Sequence, residues 1–383
     1  MFSMRLSPLL VTGFFSVVTI FSATSVFALE TVTIAVVGPL SGAAASYGKD
    51  NERGAQLAIA ELNASQFKIG GKAVKFELIS EDDQTDPKLG GAVAQKLAER
   101  GVNGVVGHNN SGTTMVASRI YSQAGVPMIT PAASNPKVTQ LGYKTTFRTI
   151  AHDGMIGSAL AVYATTKLNL KSIALIDDRT TYGQGLADEF EKTFKSLGGV
   201  IVAHEFINDK TTDFSAVLTT IKGKKPQAVF FGGLDAQAGS MLRQMTQLGM
   251  GDLFLLGGDG LCTGELPKLG GEAVGKNIVC GEGGEALMDM KGGPAFAKLY
   301  RSTYNADVVV YAPYAFDNVM ILAKAMQAAG SSVPAQYLKF IGKTRYEGIT
   351  GVIEFDGSGQ RKKAAVTLSS YPKGVKTTLV TMK

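Results

Sequence analysis

Metal-binding side chains are scarce in this sequence of 383 residues, which contains two cysteines and three histidines. The histidines, His108, His152 and His204, are widely separated, and Cys262 and Cys280 do not form a Cys-x-x-Cys motif. Metal sites draw their ligands from clusters or short regular spacings of such residues. We therefore expect no metal site.

Blocks of like charge are also missing. The formal net charge is +6, with 38 Lys and Arg and 32 Asp and Glu spread along the chain. Nucleic-acid-binding proteins concentrate basic residues on one face, and no stretch of this chain shows such a concentration or interleaves basic with aromatic residues. The basic balance is interpreted as a solvated surface, and no nucleic-acid partner is expected.

Motifs of nucleophilic and phosphate chemistry are absent as well, because the sequence has neither a Gly-x-Ser-x-Gly elbow nor a Walker motif. Residues 281–286 match a relaxed dinucleotide fingerprint, but the Met-Lys-Gly-Gly-Pro at 290–294 would break the helix that should receive a pyrophosphate. No serine or cysteine is convincingly joined to a histidine. We expect a binding protein that is not an enzyme and needs no cofactor.

Long apolar runs are confined to the N-terminus. Arg5 precedes an apolar run over 9–21, and Ser25-Val26-Phe27-Ala28 resembles a signal-peptidase site. Residues 1–28 are therefore predicted to be a cleavable signal peptide. A transmembrane anchor is the alternative, but the run is short and no basic stop follows it. No cysteine lies at the cleavage point to carry a lipid.

The two cysteines allow two interpretations. Cys262 and Cys280 are close enough in sequence to form a disulfide across a short loop in an oxidising compartment. Two free buried thiols are the alternative.

Apolar residues make up 45% of the chain and recur in alternating strand and helix patterns. The first series has strands at 31–37, 74–79 and 102–106 and helices at 51–63 and 87–100. A second series begins with a helix at 153–168 and continues with one at 185–197, and a later helix is predicted at 315–328. This alternation predicts two doubly wound parallel sheets. With no flexible linker between them, the two lobes should be joined by several short ordered crossings that form a hinge.

The predicted lobes are discontinuous in sequence. The N-terminal lobe is assigned residues 29–150 plus 282–354, and the C-terminal lobe residues 151–281 plus 355–383. The short segment 147–150 is interpreted as one crossing, and a strand at 352–356 is expected to pair with a late strand at 364–369.

Two hydroxyl-bearing loops follow neighbouring strands of the first series. Ser111 lies between the strand at 102–106 and a helix predicted at 115–125, and Ser134 closes a loop after the strand at 126–129. Ligands of open α/β sheets bind at the carboxyl ends of the strands, and a helix N-terminus favours an anion such as a carboxylate. Alternatively, Ser111 only caps a helix and Ser134 only forms a turn.

Acidic residues at strand ends are candidates for the opposite charge. Asp259 lies in Gly-Gly-Asp-Gly after a second-lobe strand, where it could receive an ammonium group across a cleft from Ser111. An ordinary Asp-Gly turn is the alternative. The triplet at 81–83, Glu-Asp-Asp, is interpreted as a solvated strand exit or helix start rather than a cation site.

Taken together, several motifs resemble the periplasmic binding proteins for branched-chain and related amino acids, the receptors of ABC importers. The likeness covers nearly the whole mature chain, and these motifs are Val-Val-Gly-Pro-Leu-Ser-Gly at 36–42, Tyr-Gly at 47–48, Ser-Gly-Thr-Thr at 111–114, Ile-Thr-Pro-Ala-Ala-Ser at 129–134, Tyr-Gly-Gln-Gly at 182–185, Gly-Gly-Asp-Gly at 257–260, and Tyr-Glu-Gly-Ile-Thr-Gly at 346–351 with Phe-Asp at 355–356.

The resemblance implies a type I periplasmic binding protein fold and a role for each matching residue. Ser111 and Ser134 would bind the ligand carboxylate with help from the backbone at 132–134, and Asp259 would bind the ammonium. The implied ligand-binding residues are Tyr47, Ser111, Ala132, Ala133, Ser134, Tyr182, Leu234 and Asp259. The implied protein is a monomer in the periplasm that passes an amino acid to an inner-membrane ABC permease.

Some residues depart from the family pattern and bear on specificity. Leu234, followed by Asp235, stands where branched-chain receptors commonly have an aromatic residue, and Asp259 is one methylene shorter than the usual glutamate. Ser134 replaces the usual threonine, and Asn110 stands where a cysteine often precedes the first binding serine. The ligand is expected to be a branched-chain or another neutral aliphatic amino acid. A sensor of the same fold for an amino acid, amide or small carboxylate is the alternative.

Overall fold

The computed structural model describes residues 1–3 and 29–383, so the predicted signal peptide lies almost wholly outside the described residues. The first of two large sheets has six strands in the order β2-β3-β1-β4-β5-β6. Strands β1, β3, β4, β5 and β6 are parallel, and β2 adds an antiparallel edge. Its strands are β1 (Glu30–Gly38), β2 (Lys68–Ile69), β3 (Lys72–Asp82), β4 (Gly104–Val106), β5 (Met128–Thr130) and β6 (Thr146–Arg148).

Helices from two parts of the chain cover this sheet. They are α1 (Ala45–Ala64), α2 (Pro87–Arg100), α3 (Ser111–Ala124) and α4 (Lys137–Gln140), and later in the chain α10 (Gly293–Tyr304), α11 (Ala312–Ala329) and α12 (Pro334–Ile341). Helix α11 is apolar on nearly every face and almost wholly buried, as expected for a helix inside a core. The chain therefore returns to its first lobe after building the second.

The second sheet has seven strands in the order β15-β14-β11-β10-β9-β7-β8. Its strands are β7 (Ser172–Asp177), β8 (Val200–Phe206), β9 (Ala228–Gly232), β10 (Phe254–Gly257), β11 (Ile278–Glu282), β14 (Val366–Ser370) and β15 (Thr377–Met382). The helices of this lobe are α5 (Asp153–Thr166), α6 (Thr181–Ser196), α7 (Ser215–Gly223), α8 (Asp235–Gln247) and α9 (Leu266–Gly270). Strands β7 to β11 are parallel, whereas β14 and β15 are antiparallel additions. The predicted α/β class, with two sheets built mainly from parallel strands, is confirmed.

The predicted partner of the strand near residue 352 is wrong. Strand β13 (Gly351–Glu354) pairs with β12 (Arg345–Gly348) in a hairpin, while β14 pairs with β11 and β15. Gly351 adopts φ +89°, which favours glycine, and the buried Asp317 accepts hydrogen bonds from the two amides of the connecting residues. This local turn selects the nearer partner.

The segment predicted as a crossing at 147–150 begins as part of a sheet, because Phe147 lies in β6, the edge strand of the first sheet. Backbone hydrogen bonds tie this edge to the last crossing: the Arg148 amide donates to the Gly359 carbonyl, and the Arg361 amide donates to the Arg148 carbonyl. Phe355, at the predicted lobe boundary, packs against Phe147 in the first core at 5.1 Å between ring centroids. Neighbouring crossings are thus hydrogen-bonded to one another.

Several helices begin earlier than predicted. Helix α1 starts at Ala45, α3 at Ser111 and α6 at Thr181, so Tyr47 and Tyr182 lie in the first turns of helices and not in the loops before them. No helix in the described ranges is long and apolar enough to cross a membrane.

Candidate functional site

A buried pocket lies where the carboxyl ends of strands from both sheets face each other. The first lobe contributes the loops after β4 and β5 and the start of α1, and the second lobe contributes the loop after β10 and the starts of α6 and α8. The lining residues are Tyr47, Asn109, Asn110, Ser111, Ala132, Ser134, Tyr182, Leu234, Asp259, Gly260 and Tyr311. This is the edge at which open α/β sheets bind ligands.

Ser111 and Ser134 form one end of the pocket. Ser111 is the first residue of α3, and its hydroxyl oxygen accepts the Asn135 amide at 3.2 Å, so its own proton remains available to a ligand. The Ser134 hydroxyl is buried and has no hydrogen-bond partner among the described residues. A buried hydroxyl without a partner costs free energy unless a ligand satisfies it. Two hydroxyl donors, one of them on the first residue of a helix, suit a carboxylate.

A buried imidazole holds the loop that carries Ser111. His108 contacts the Asp83 carboxylate through Nδ1 at 2.8 Å and the Tyr121 hydroxyl through Nε2 at 3.2 Å, and all three side chains are buried. The His108 carbonyl accepts the Thr130 hydroxyl at 2.8 Å, which links this loop to the second one. The two loops therefore form one connected support.

The acidic triplet at 81–83 does not form a cation site, and its three side chains have different partners. Glu81 pairs with Lys96 at 2.8 Å, Asp82 accepts the Leu40 amide at 2.8 Å, and Asp83 contacts His108. The prediction of a solvated exit is wrong for Asp83, which is 0% exposed because the imidazole partner lies inside the lobe. The described residues contain no group of three or more side chains placed to hold a metal ion.

Asp259 forms the other end of the pocket and is 1% exposed. Its Oδ1 accepts the Tyr182 hydroxyl at 2.7 Å and the Gly260 amide at 3.1 Å, and its Oδ2 accepts the Tyr311 hydroxyl at 2.9 Å. Burial raises the pKa of Asp259, while the two tyrosine hydroxyls lower it. No Lys, Arg or His in the described part of the chain lies within 4 Å of this carboxylate. A cationic ligand group would supply the missing charge.

Asp259 also takes part in a turn, as the alternative interpretation expected, because its carbonyl accepts the Cys262 amide at 3.1 Å. Cys262 and Cys280 form a disulfide that joins this turn to β11. The turn and the buried carboxylate are therefore two features of one residue.

The walls between the two ends are mostly aromatic and aliphatic. The rings of Tyr47 and Tyr311 lie 6.1 Å apart, the Tyr47 hydroxyl donates to the Gly260 carbonyl at 3.0 Å, and Leu234 packs against the same cluster. Asp235, the residue after Leu234, does not line the pocket; it is buried and accepts the Thr263 hydroxyl at 2.6 Å. The side chain of a ligand would thus meet carbon surface and phenol rings.

Tyr311 was not predicted as a site residue. It immediately precedes α11, and the loop before this helix is fixed by Asp50, which accepts the amides of Val310, Tyr311 and Ala312 at 2.7–3.0 Å. The available signal was Tyr-Ala-Pro, because proline in the first turn marks a helix start. The predicted start at 315 placed this tyrosine too far from any helix terminus.

The structure separates Ala132 from Ala133. Ala132 lines the pocket, whereas Ala133 lies behind it with its amide donating to the Thr130 hydroxyl at 3.0 Å and its carbonyl accepting Arg148 Nη1 at 3.0 Å. Ala133 therefore contributes to the shape of the loop. The other seven predicted ligand-binding residues are brought together around one pocket.

A two-lobed α/β protein with a dipolar pocket between its lobes is the architecture of a solute receptor. The model of the periplasmic binding protein family matches residues 31–374, and the chain belongs to this family. Leu/Ile/Val-binding protein homolog 1 of Brucella abortus is 34% identical over 344 residues, which is 90% of this chain and 91% of that protein.

Further relatives match over most of both chains. A leucine-, isoleucine-, valine-, threonine- and alanine-binding protein of Pseudomonas aeruginosa is 32% identical over 90% of this chain and 91% of its own. The crystal structure of a leucine-binding protein, LivK, from Thermotoga maritima superposes with a TM-score of 0.85 at 27% identity, covering 92% of this chain and 99% of that one. LivJ of Streptococcus pneumoniae, solved with isoleucine, gives 0.82 at 29% identity, covering 92% and 99%.

Proposed function

We propose that this protein captures a neutral aliphatic amino acid in its inter-lobe pocket and delivers it to the membrane permease of an ABC importer. The observation that carries the proposal is the buried Asp259, which has no cation beside it among the described residues and shares one pocket with the hydroxyls of Ser111 and Ser134. A zwitterionic α-amino acid complements both ends at once.

The two ends would supply affinity, and the walls would supply selectivity. Hydrogen bonds to charged groups contribute about 1.5–3 kcal/mol each. Carbon surfaces such as Leu234 distinguish ligands by shape, and one methylene changes binding by only about 1–3 kcal/mol. Leucine, isoleucine and valine are the first candidates, because relatives of this chain are named for binding them.

Under the same proposal the mature protein is a monomer in the periplasm. It binds its ligand without making or breaking a covalent bond. The predicted signal peptide and the family membership support this location and an ABC permease as the partner. The polar lining of the pocket consists of tyrosines, serines, asparagines and one aspartate among apolar residues. This set contains no serine or cysteine paired with a histidine, so it supports binding rather than bond cleavage.

A thermal-shift panel on refolded, ligand-stripped protein tests the proposal. Common amino acids, their amides and small carboxylates are each added in excess. A ligand at a hundred times its dissociation constant adds about 2.7 kcal/mol to the free energy of unfolding, which raises the melting temperature. We expect leucine, isoleucine or valine to stabilise the protein. Stabilisation by carboxylates or amides alone would contradict the amino-acid proposal and favour the alternative, a sensor of the same fold for an amide or a small carboxylate.

A further inference from the structure

Arg148, at the end of β6, lies directly behind the end of the pocket formed by Ser111 and Ser134 and is 0% exposed. Its Nη1 donates to the carbonyls of Ala133 at 3.0 Å and Asn135 at 2.6 Å, and its Nε donates to Gln360 Oε1 at 2.6 Å. Nη2 contacts the Thr139 hydroxyl at 3.4 Å. Every one of these partners is neutral.

A buried guanidinium normally pairs with a carboxylate. Within the described residues no Asp or Glu oxygen lies within 4 Å of Arg148. Asp153 and Asp356 act on it only from a longer range, and burial lowers the pKa of Arg148 to about 10, so the side chain stays charged at neutral pH. A full positive charge is therefore buried beside the pocket without a counter-ion in contact.

The contact with Ala133 connects this charge to the pocket. The Ala133 carbonyl and the Ser134 amide belong to one peptide unit, and a donor on the carbonyl makes the N–H of the same unit a stronger donor. Asn135, whose carbonyl Arg148 also holds, donates its amide to the Ser111 hydroxyl oxygen and so directs the hydroxyl proton elsewhere. Arg148 thereby supports the groups of both serines.

We propose that Arg148 is the buried counter-charge for the ligand's carboxylate and that it acts as a positioning residue through the Ala133–Ser134 peptide without touching the ligand. The inference rests on the proposed function only in requiring a ligand that carries a carboxylate. It assigns to Arg148 a preference for a carboxylate over an uncharged amide.

Gln360 sets the orientation of this cation. Its Oε1 accepts Arg148 Nε, and its Nε2 donates to the Ile150 carbonyl at 2.9 Å, so it joins the last crossing segment to the first. Replacing Gln360 with Leu removes one of the contacts that hold the guanidinium and leaves its charge in place.

The test compares leucine with leucinamide, which have the same side chain and ammonium group and differ at the carboxylate. Dissociation constants are measured by calorimetry, with displacement for weak ligands, on wild type, Arg148→Met and Arg148→Lys. We expect the ratio of the leucinamide to the leucine dissociation constant to fall by about tenfold or more in Arg148→Met, in line with the strength of hydrogen bonds to charged groups. Arg148→Lys keeps the charge without the planar fork and should lie between.

Arg361→Met is the matched control. Arg361 is another arginine of the crossing segments that donates to backbone carbonyls, those of Thr149 and Thr350 at 3.0 and 2.6 Å, but none of these belongs to the pocket. Its replacement should leave the ratio unchanged, whatever it does to stability. A general loss of stability weakens binding of both ligands alike and cancels in the ratio.

An unchanged ratio in folded Arg148→Met would overturn the inference. If that variant does not fold, Arg148→Lys and Gln360→Leu decide in the same way, with a lowered ratio expected in each. If wild-type protein binds no amino acid but binds a simple carboxylate, the proposed function fails, and the same ratio measured with that carboxylate and its primary amide still tests Arg148.

Discussion

The two ends of the pocket differ in how they bind a charged ligand group. The first-lobe end offers neutral donors, the hydroxyl of Ser111 at the N-terminus of α3 and the hydroxyl of Ser134 in the loop after β5. The second-lobe end offers one formal charge, Asp259, surrounded by the hydroxyls of Tyr182 and Tyr311. A carboxylate can be received by several weak dipoles, whereas an ammonium group at this pocket depends on a single side chain.

This difference predicts unequal sensitivity to substitution. When several dipoles bind one ligand group, the loss of one removes only part of the binding free energy, whereas the loss of a single buried charge removes most of it. The aspartate end should therefore lose binding in one step, and the serine end should lose it gradually.

Replacing Asp259 with Ala should have the largest effect. Truncating one partner of a buried, hydrogen-bonded charge pair costs about 2–5 kcal/mol, so leucine affinity should fall on the order of a hundredfold or more by calorimetry. The empty protein should not lose stability, because a buried carboxylate without a cation is removed. Retained affinity in Asp259→Ala would show that the ammonium binds elsewhere.

Replacing the serines one at a time should lower leucine affinity by about tenfold each, the value of one hydrogen bond to a charged group. The two variants should differ in stability. Ser134→Ala removes a hydroxyl without a partner and should leave the melting temperature unchanged or higher, whereas Ser111→Ala leaves the Asn135 amide unpaired and should lower it. A hundredfold loss from either serine alone would contradict the shared-dipole interpretation.

Replacing Tyr311 with Phe should shift the pH dependence of binding. Asp259 binds an ammonium only when ionised, so affinity is full above its pKa and is lost as pH falls through it. The Tyr311 hydroxyl lowers this pKa against the effect of burial, so its removal raises the pKa further and binding should fail at a higher pH than in wild type. Calorimetry across a pH series measures the shift.

The control for this pH series is Tyr304→Phe, which removes a hydroxyl that donates to the Arg53 carbonyl and does not line the pocket. Its binding profile should match that of wild type. The stability of the ligand-free protein should depend on pH in the opposite direction to binding. A carboxyl whose pKa is raised in the folded state, such as that of Asp259, contributes most to the free energy of unfolding at low pH and loses that contribution as pH rises. Identical binding profiles for wild type and Tyr311→Phe would remove Tyr311 from the aspartate end.

Breaking the disulfide should have the smallest effect on binding. The double replacement Cys262→Ser and Cys280→Ser opens a loop with a sequence separation of 18 and should lower the free energy of unfolding by about 3 kcal/mol, measured with urea. Leucine affinity should change little, because the backbones of β10 and β11 still pair at positions 257 and 280. A large loss of affinity would mean that the covalent link, and not the strand pairing, positions Asp259.

The residues whose positions could be predicted from the sequence are those whose placement depends on the residues next to them in the chain. Ser111 and Asp259 follow apolar strands in glycine-rich or hydroxyl-rich turns, and the alternating pattern alone places each of them at the carboxyl edge of its own sheet. The early strand and helix patterns likewise predicted both lobes.

The residues that could not be predicted depend on distant contacts. Asp50 fixes the loop before Tyr311 across 261 residues, and Arg148 reaches Gln360 across 212. Periodicity identifies the strand near residue 352 but does not choose its partner. The burial of Asp83 likewise follows from His108, which lies 25 residues further along the chain.

The most direct test of a pocket that binds both charged groups of an amino acid is a calorimetric comparison of three ligands on the ligand-stripped protein. Leucine carries both charged groups, 3-methylbutylamine lacks the carboxylate, and 4-methylpentanoate lacks the ammonium. The two-ended pocket predicts that leucine binds at least about a hundredfold more tightly than either analogue, since each lost end removes contacts to a charged group. An analogue that binds as tightly as leucine would contradict it.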